Sequence, residues 1–231
     1  MRAKSDHLTT LRQKSASSAP KRKGRRVTVR MPAADRREQI LKKAFEFFSE
    51  YGLTAQTRAL AESCGVSQRL LYSIFPNKSA LINAVYETAI AGVFKAVWFV
   101  QLQDRSKPIE QRLTDFYCEY YETVLTRSWM RLFLYASLAE VEMAPTYIAS
   151  IIKHLLDTIM KEALHEAGLT CLPNQAQAEI QEICWILHGA VSHLAIRRHI
   201  YRDQTDLKVD RVIALQVHSF LAGLKSVVPQ A

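Results

Sequence analysis

Turn-forming residues are scarce in this sequence, with seven glycines and seven prolines among 231 residues. Leu, Ala and Glu are common, a balance that suits helices and leaves few turns for a sheet, and no β-hairpin signal occurs. Long apolar runs are missing too. The longest, Ala89 to Val100, is cut by Lys95 and falls short of the roughly 20 residues a membrane-spanning helix needs, so no membrane partner is expected. Cys64, Cys118, Cys171 and Cys184 stand too far apart for a disulfide framework or a zinc knuckle, and a reducing cytoplasm is the simplest setting. Marks of catalysis are absent: no phosphate-cradling glycine loop, no nucleophile elbow, no HExxH, no carboxylate pair placed as acid and base. Neither an enzyme nor a cofactor is expected.

What is abundant is positive charge, and it sits at one end. The formal net charge is +9, but residues 1–37 alone hold twelve Lys or Arg against Asp6 and Asp35, a balance of +10 that leaves the remainder near neutral. Such a segment, Ser-rich and almost free of large apolar residues, cannot bury enough surface to offset its ordering entropy. Residues 1–34 are therefore expected to be a basic flexible arm. Three readings of it stay open: an arm that follows DNA phosphates, a solvated tail or a start misplaced upstream of Met31, or an organelle transit peptide.

Order is expected from about Asp35. Ile40, Leu41, Ala44, Phe45, Phe48 and Tyr51 lie on one face of a helix that Gly52 ends. A short second helix starts at Gln56 or Thr57 and buries Leu60 and Ala61. Gly65 then supplies the positive φ of a tight turn, Val66 plugs the angle and Ser67 caps a third helix that Pro76 stops. Ala61, Gly65 and Leu71 are spaced as two steeply crossing helices require. Such a unit presents the outer face of its second helix, here Gln68, Arg69, Leu70, Tyr72 and Ser73 with Ser67 at its head, to a DNA major groove. A generic helical corner explains Ala, Gly and Leu equally well.

The segments RREQILKKAFEFFSEYG, TRALAESCGVS and LLYSIFPNKSALINAVYE, spanning Arg36 to Glu87, resemble the tetracycline-repressor (TetR) family of bacterial regulators. Tyr72, Phe75 and Lys78 match its hallmark of a Tyr, two residues, a Phe, then a Lys opening the fourth helix. The resemblance implies an all-α fold, with a three-helix helix-turn-helix head (35–80) joined to a helical ligand-binding and dimerisation bundle (81–231). It also implies phosphate contacts by Thr57, Tyr72 and Lys78, and base contacts by Arg58 and Gln68. Arg69 and Leu70 depart from the family's frequent Gly and Thr, and Ile74 from a frequent His. One hydroxyl-to-phosphate contact is thereby in doubt, and Arg69 is expected to replace it with a charged contact while Leu70 touches a thymine methyl.

Beyond Lys78 the pattern predicts one long helix to about Gln103 and a loop at Asp104 to Pro108. A dense aromatic group follows. Helical spacing of aromatics ordinarily marks core; the resemblance implies instead a pocket for an apolar or aromatic inducer, with Trp98, Tyr117, Tyr121, Phe133 and Trp185 as candidate walls. The helix at 174–201 carries apolar residues on two faces, one through Ile183, Leu187, Val191 and Leu194, the other through Trp185, Ala195 and Ile196, so it should be covered on two sides. Together with the helix at 208–226 it is expected to form a homodimeric four-helix contact. His188, His193 and His199 do not converge on one ion, so no metal is expected. The function these readings imply is a ligand-responsive, sequence-specific transcriptional repressor on a palindromic double-stranded DNA site; the alternative is a ligand-independent architectural DNA binder.

Overall fold

The computed structural model describes residues 32–139, 141–169 and 174–227. These form eleven α-helices, and among the described residues there is no strand. The basic segment over residues 1–31 and Cys171 lie outside them.

Helix α1, Ala33–Tyr51, begins two residues before Asp35, which falls in its first turn, where a negative charge favours the helix dipole. Its buried face is Ile40, Leu41, Ala44 and Phe48. Gly52 adopts φ +77°, and its amide donates to the Phe48 carbonyl at 2.9 Å, closing the last turn. Helix α2, Thr57–Ser63, buries Leu60 and Ala61. At Gly65, φ is +67°, and the Val66 amide bonds back to the Ala61 carbonyl at 3.0 Å. Helix α3, Gln68–Ile74, then starts under the Ser67 hydroxyl and buries Leu71. Phe75 is extended ahead of Pro76, as a residue before proline prefers. Leu60, Leu71, Phe75 and Leu81 join the α1 face in one core, each worth about 1.5–3 kcal/mol on burial.

The expected long helix from Lys78 to Gln103 is broken. Helix α4, Lys78–Val85, continues as a wide π-helical turn, Tyr86–Ala91, and a second helix, α5, resumes only at Val97–Leu102. Between them the chain tightens: Phe94 N bonds to Ala91 O at 3.1 Å and Trp98 N to Lys95 O at 3.0 Å, three residues back rather than four. Gly92 permits this close turn, because a Cβ there would lie 2.5 Å from the Glu87 carbonyl oxygen. The break swings Trp98 into the core, where it is fully buried and donates its Nε1 to Glu119 at 2.8 Å.

The rest is a bundle of α6 (Ile109–Thr123), α7 (Arg127–Leu138), α8 (Met143–Tyr147) leading through a π turn into α9 (Lys153–Glu166), α10 (Asn174–Ala195) and α11 (Val209–Val227). The 103–108 loop is pinned by Arg112, nearly fully buried, which donates Nε to Lys107 O at 3.0 Å and pairs with Glu162 at 2.9 Å. Burial pushes the Glu162 carboxyl up, but hydrogen bonds from Arg105 and Arg112 outweigh it and hold the group below its usual range.

Helix α7 joins the bundle to the head. Arg131 donates Nε to Ser49 O at 2.6 Å and Nη2 to Glu50 O at 3.0 Å, capping the C-terminal carbonyls of α1. Arg127 pairs with the Glu50 carboxylate, and the Tyr135 ring lies against Gly52, 3.7 Å from where a Cβ would stand. On α10 the two expected faces are redistributed. Cys184, Leu187, Val191, Leu194 and Ala195 all turn inward, while Trp185 and Ile196 are half-buried. The outward apolar face runs instead through Ile183, Ile186 and Ala190, and with Leu215 of α11 it lines a groove of about 470 Å³.

Candidate nucleic-acid interface

The corner around Gly65 turns one side of α3 to solvent. Gln68, Arg69, Leu70, Tyr72 and Ser73 are all exposed, while Leu71 faces inward. Ser67, also exposed, accepts the Leu70 amide at 3.1 Å, so its hydroxyl is engaged as the helix cap. Ser73 donates to the Leu70 carbonyl at 2.7 Å. An exposed 37% of Leu70 and 38% of Tyr72 gives this surface an apolar and aromatic component beside its amide and guanidinium.

Three side chains for which the family resemblance implies phosphate contacts are drawn together. The Tyr72 hydroxyl donates to Thr57 Oγ1 at 3.1 Å, bridging α3 to the start of α2. Two residues upstream of Thr57, the Ala55 carbonyl accepts from Lys78 Nζ at 2.8 Å. An ammonium has three donors, so one fixes Lys78 and two remain for an anion. Asn77 accepts the Ala80 amide at 2.8 Å and caps α4 beside it, a role the sequence reading passed over. Arg58, exposed on α2, pairs with Glu62 at 3.2 Å; with both side chains mostly in water, that pair is worth less than about 1 kcal/mol and yields readily to a base edge. The surface thus offers a polar rail along one side and a row of base-sized groups beside it, which is what a duplex groove takes.

The proposed pocket walls do not form one site. Trp98 is buried against Phe94, Phe116 and Tyr120. Tyr121 stacks on His199 at 5.7 Å and lines a separate cavity with Cys118 and Lys208. Phe133 stacks on Trp129 at 4.7 Å, near Tyr147. Tyr117 and Trp185 both approach His188, each at 6.2 Å between ring centres. Among the described residues no group of three or more His, Cys, Asp or Glu could hold a metal ion, and no helix is long and apolar enough to cross a membrane.

Among the described residues the chain is built wholly of helices, with a helix-turn-helix at its head. Residues 40–85 match the model of a family described as bacterial regulatory proteins, tetR family, and the chain has the fold of a TetR-family transcriptional regulator. Solved structures agree on the fold. A TetR-like transcriptional regulator from a Rhodococcus species superposes with a TM-score of 0.65 at 20% identity, over 85% of this chain and 99% of that one. A putative TetR-family regulator from Mesorhizobium loti gives 0.60 at 15% identity, over 84% and 98%. One from Streptomyces coelicolor gives 0.58 at 18%, over 85% and 83%. Comparison with curated proteins gives no match.

Proposed function

We propose that the chain is a homodimeric, non-enzymatic, cytoplasmic repressor, released from a palindromic site on double-stranded DNA by a small apolar or aromatic molecule. The observation that carries this reading is the exposed α3 row, flanked by the Tyr72–Thr57 and Lys78–Ala55 bonds. In it, Thr57, Tyr72 and Lys78 grip phosphates. Arg58 and Gln68 read base edges, Arg69 makes a charged contact to base or phosphate, Leu70 touches a thymine methyl, and Ser67 and Ser73 lie at the groove wall. The head spans residues 35–80, the regulatory and dimerisation part residues 81–231, and residues 1–34 are a basic arm.

Pairing runs through the helices at 174–201 and 208–226. The apolar groove of Ile183, Ile186, Ala190 and Leu215 supports it; Ile186 is 68% exposed, and an apolar patch so placed marks an association surface. Two-fold pairing sets the α3 helices about 34 Å apart or a multiple of that, on a symmetric site. A ligand in the bundle releases DNA by favouring the state with the wrong spacing, and α7, which holds both bundle aromatics and the end of α1, is the mechanical link.

Selection of bound sequences from a random duplex pool tests the reading. Winners with two-fold symmetry are expected; winners without symmetry, or no enrichment, would refute a dimeric regulator with a fixed operator.

A further inference from the structure

We propose that Arg37 of α1 is a DNA phosphate contact, seated on the Phe75 ring and serving the C-terminal end of α3. The inference rests on the DNA-binding reading above and adds to it a residue from outside α2 and α3. Arg37 stands one turn before Ile40 and Leu41, in line with the covered face of α1. A long cationic side chain in that place lays its stem on apolar surface and carries its head to water. Here the guanidinium carbon lies over the Phe75 ring, 5.3 Å from its centre, with the ring buried and Arg37 exposed.

Two observations give that position its use. Phe75 directly follows α3, and the last turn of α3 has little to offer a phosphodiester, whose oxygens only accept hydrogen bonds. Ile74 has no polar side-chain atom, and the Ser73 hydroxyl already donates to the Leu70 carbonyl at 2.7 Å. The second observation is the state of the charge. Lys43 and Arg58, on α1 and α2, are paired with Glu46 and Glu62 at 2.8 and 3.2 Å. The Arg37 guanidinium has no hydrogen bond and no carboxylate partner among the described residues. A ring attracts the cation without occupying its five N–H donors. The full charge therefore remains available, together with the planar fork that suits a phosphate. Seating on Phe75 also restricts the side chain before DNA arrives, which lowers the ordering cost of binding.

The test titrates labelled duplexes, one carrying a selected site and one scrambled, with the full chain and with Arg37→Met, Arg37→Lys and Lys43→Gln, over a series of salt concentrations. Arg37→Met keeps a stem over Phe75 and removes the charge. We expect it to bind both duplexes about eightfold more weakly near 0.1 M salt, and to make the slope of log K against log salt shallower by about 0.9, as the loss of one phosphate contact gives. Arg37→Lys should restore the slope. Lys43→Gln, which takes the same unit of charge from α1, should leave it in place. A side chain that only covers Phe75 would alter the folded fraction, and with it the affinity, while the slope stayed the same. An unchanged slope in Arg37→Met, an equal change in Lys43→Gln, or a loss confined to the selected duplex, which marks a base contact, would each overturn the proposal. The two duplexes separate this inference from the reading it rests on. If the unaltered chain binds both equally and the slope still depends on Arg37, the fixed operator is refuted and the phosphate contact stands. If it prefers the selected site and the slope ignores Arg37, the contact is refuted and the operator stands. Binding to neither duplex refutes both.

Discussion

Replacing Arg131 by Met tests how the bundle holds the head. The Met side chain keeps most of the aliphatic stem but removes every donor. In the folded chain, those donors reach Ser49 O at 2.6 Å, Glu50 O at 3.0 Å and the Tyr135 hydroxyl at 3.0 Å. Hydrogen bonds from a charged donor contribute about 1.5–3 kcal/mol each when shielded and much less when water can substitute. Ser49 is only 1% exposed, so its carbonyl loses a partner without ready replacement, whereas the exposed Glu50 carbonyl regains one from water. The 3.5 Å ion pair of Arg131 with the half-exposed Glu50 carboxylate adds little. A loss of about 2–3 kcal/mol results, which urea denaturation followed by far-ultraviolet ellipticity reads as a lower midpoint with an unchanged slope. Protein concentration must be held fixed, since pairing of the kind proposed would shift apparent stability. A change below about 0.5 kcal/mol, the ordinary scatter of surface substitutions, would show that α7 does not anchor the end of α1.

The remaining predictions concern the glycines, a buried base and the recognition helix. Gly65→Ala should cost about 1–2 kcal/mol, for its φ of +67° alone, since nothing crowds the site. Gly92→Ala acts by contact instead, its Cβ meeting the carbonyl oxygens of Glu87 at 2.5 Å and Thr88 at 2.9 Å; thermal melts should show a loss of about 1–3 kcal/mol, and an unchanged Tm would contradict the tight turn. His188 links stability to pH. Its folded pKa of about 4 lies below the ordinary 6.5, so the unfolded chain takes up the proton first. Stability is whole above pH 6.5 and falls as pH drops toward 4, by about 3 kcal/mol; His188→Leu should flatten that part of the profile, and an identical profile would refute the assignment. Arg69→Ala should weaken operator binding and lower the salt slope by about 1 if Arg69 meets a phosphate, or relax preference at one base pair if it meets a base; no change in either quantity removes Arg69 from the interface.

The head was legible in the sequence because its determinants are local. Gly52, Gly65, Ser67 and Pro76 punctuate the chain where the backbone turns, and the apolar spacing of α1 fixes which face is covered. What escaped the sequence depends on distant partners. The apolar run from Ala89 to Val100 reads as continuous helix, and only the packing of Trp98 against Phe116 and Tyr120 explains why the chain breaks beside Gly92. Helical spacing of aromatics does not say what lies opposite them, so Trp98 reads either as core or as a pocket wall. The Arg131 clamp joins residues 81 and 82 positions apart, with no pattern to announce it. In the sequence His188 is only one of three histidines that do not converge on one ion; its burial beside Tyr117 depends on what α6 sets against α10. The exposed residues of α3 are brought to one surface by the fold, while the roles given to them rest on the proposed function.

The measurement closest to the central claim is fluorescence anisotropy of a labelled duplex carrying a selected site, titrated with the full chain beside a scrambled duplex at one fixed salt concentration. A recognition surface on α3 predicts a preference of about a thousandfold or more for the selected site, collapsing toward the scrambled value in Gln68→Ala and Arg69→Ala. Equal affinity for both duplexes, or a preference that those substitutions leave intact, would contradict it.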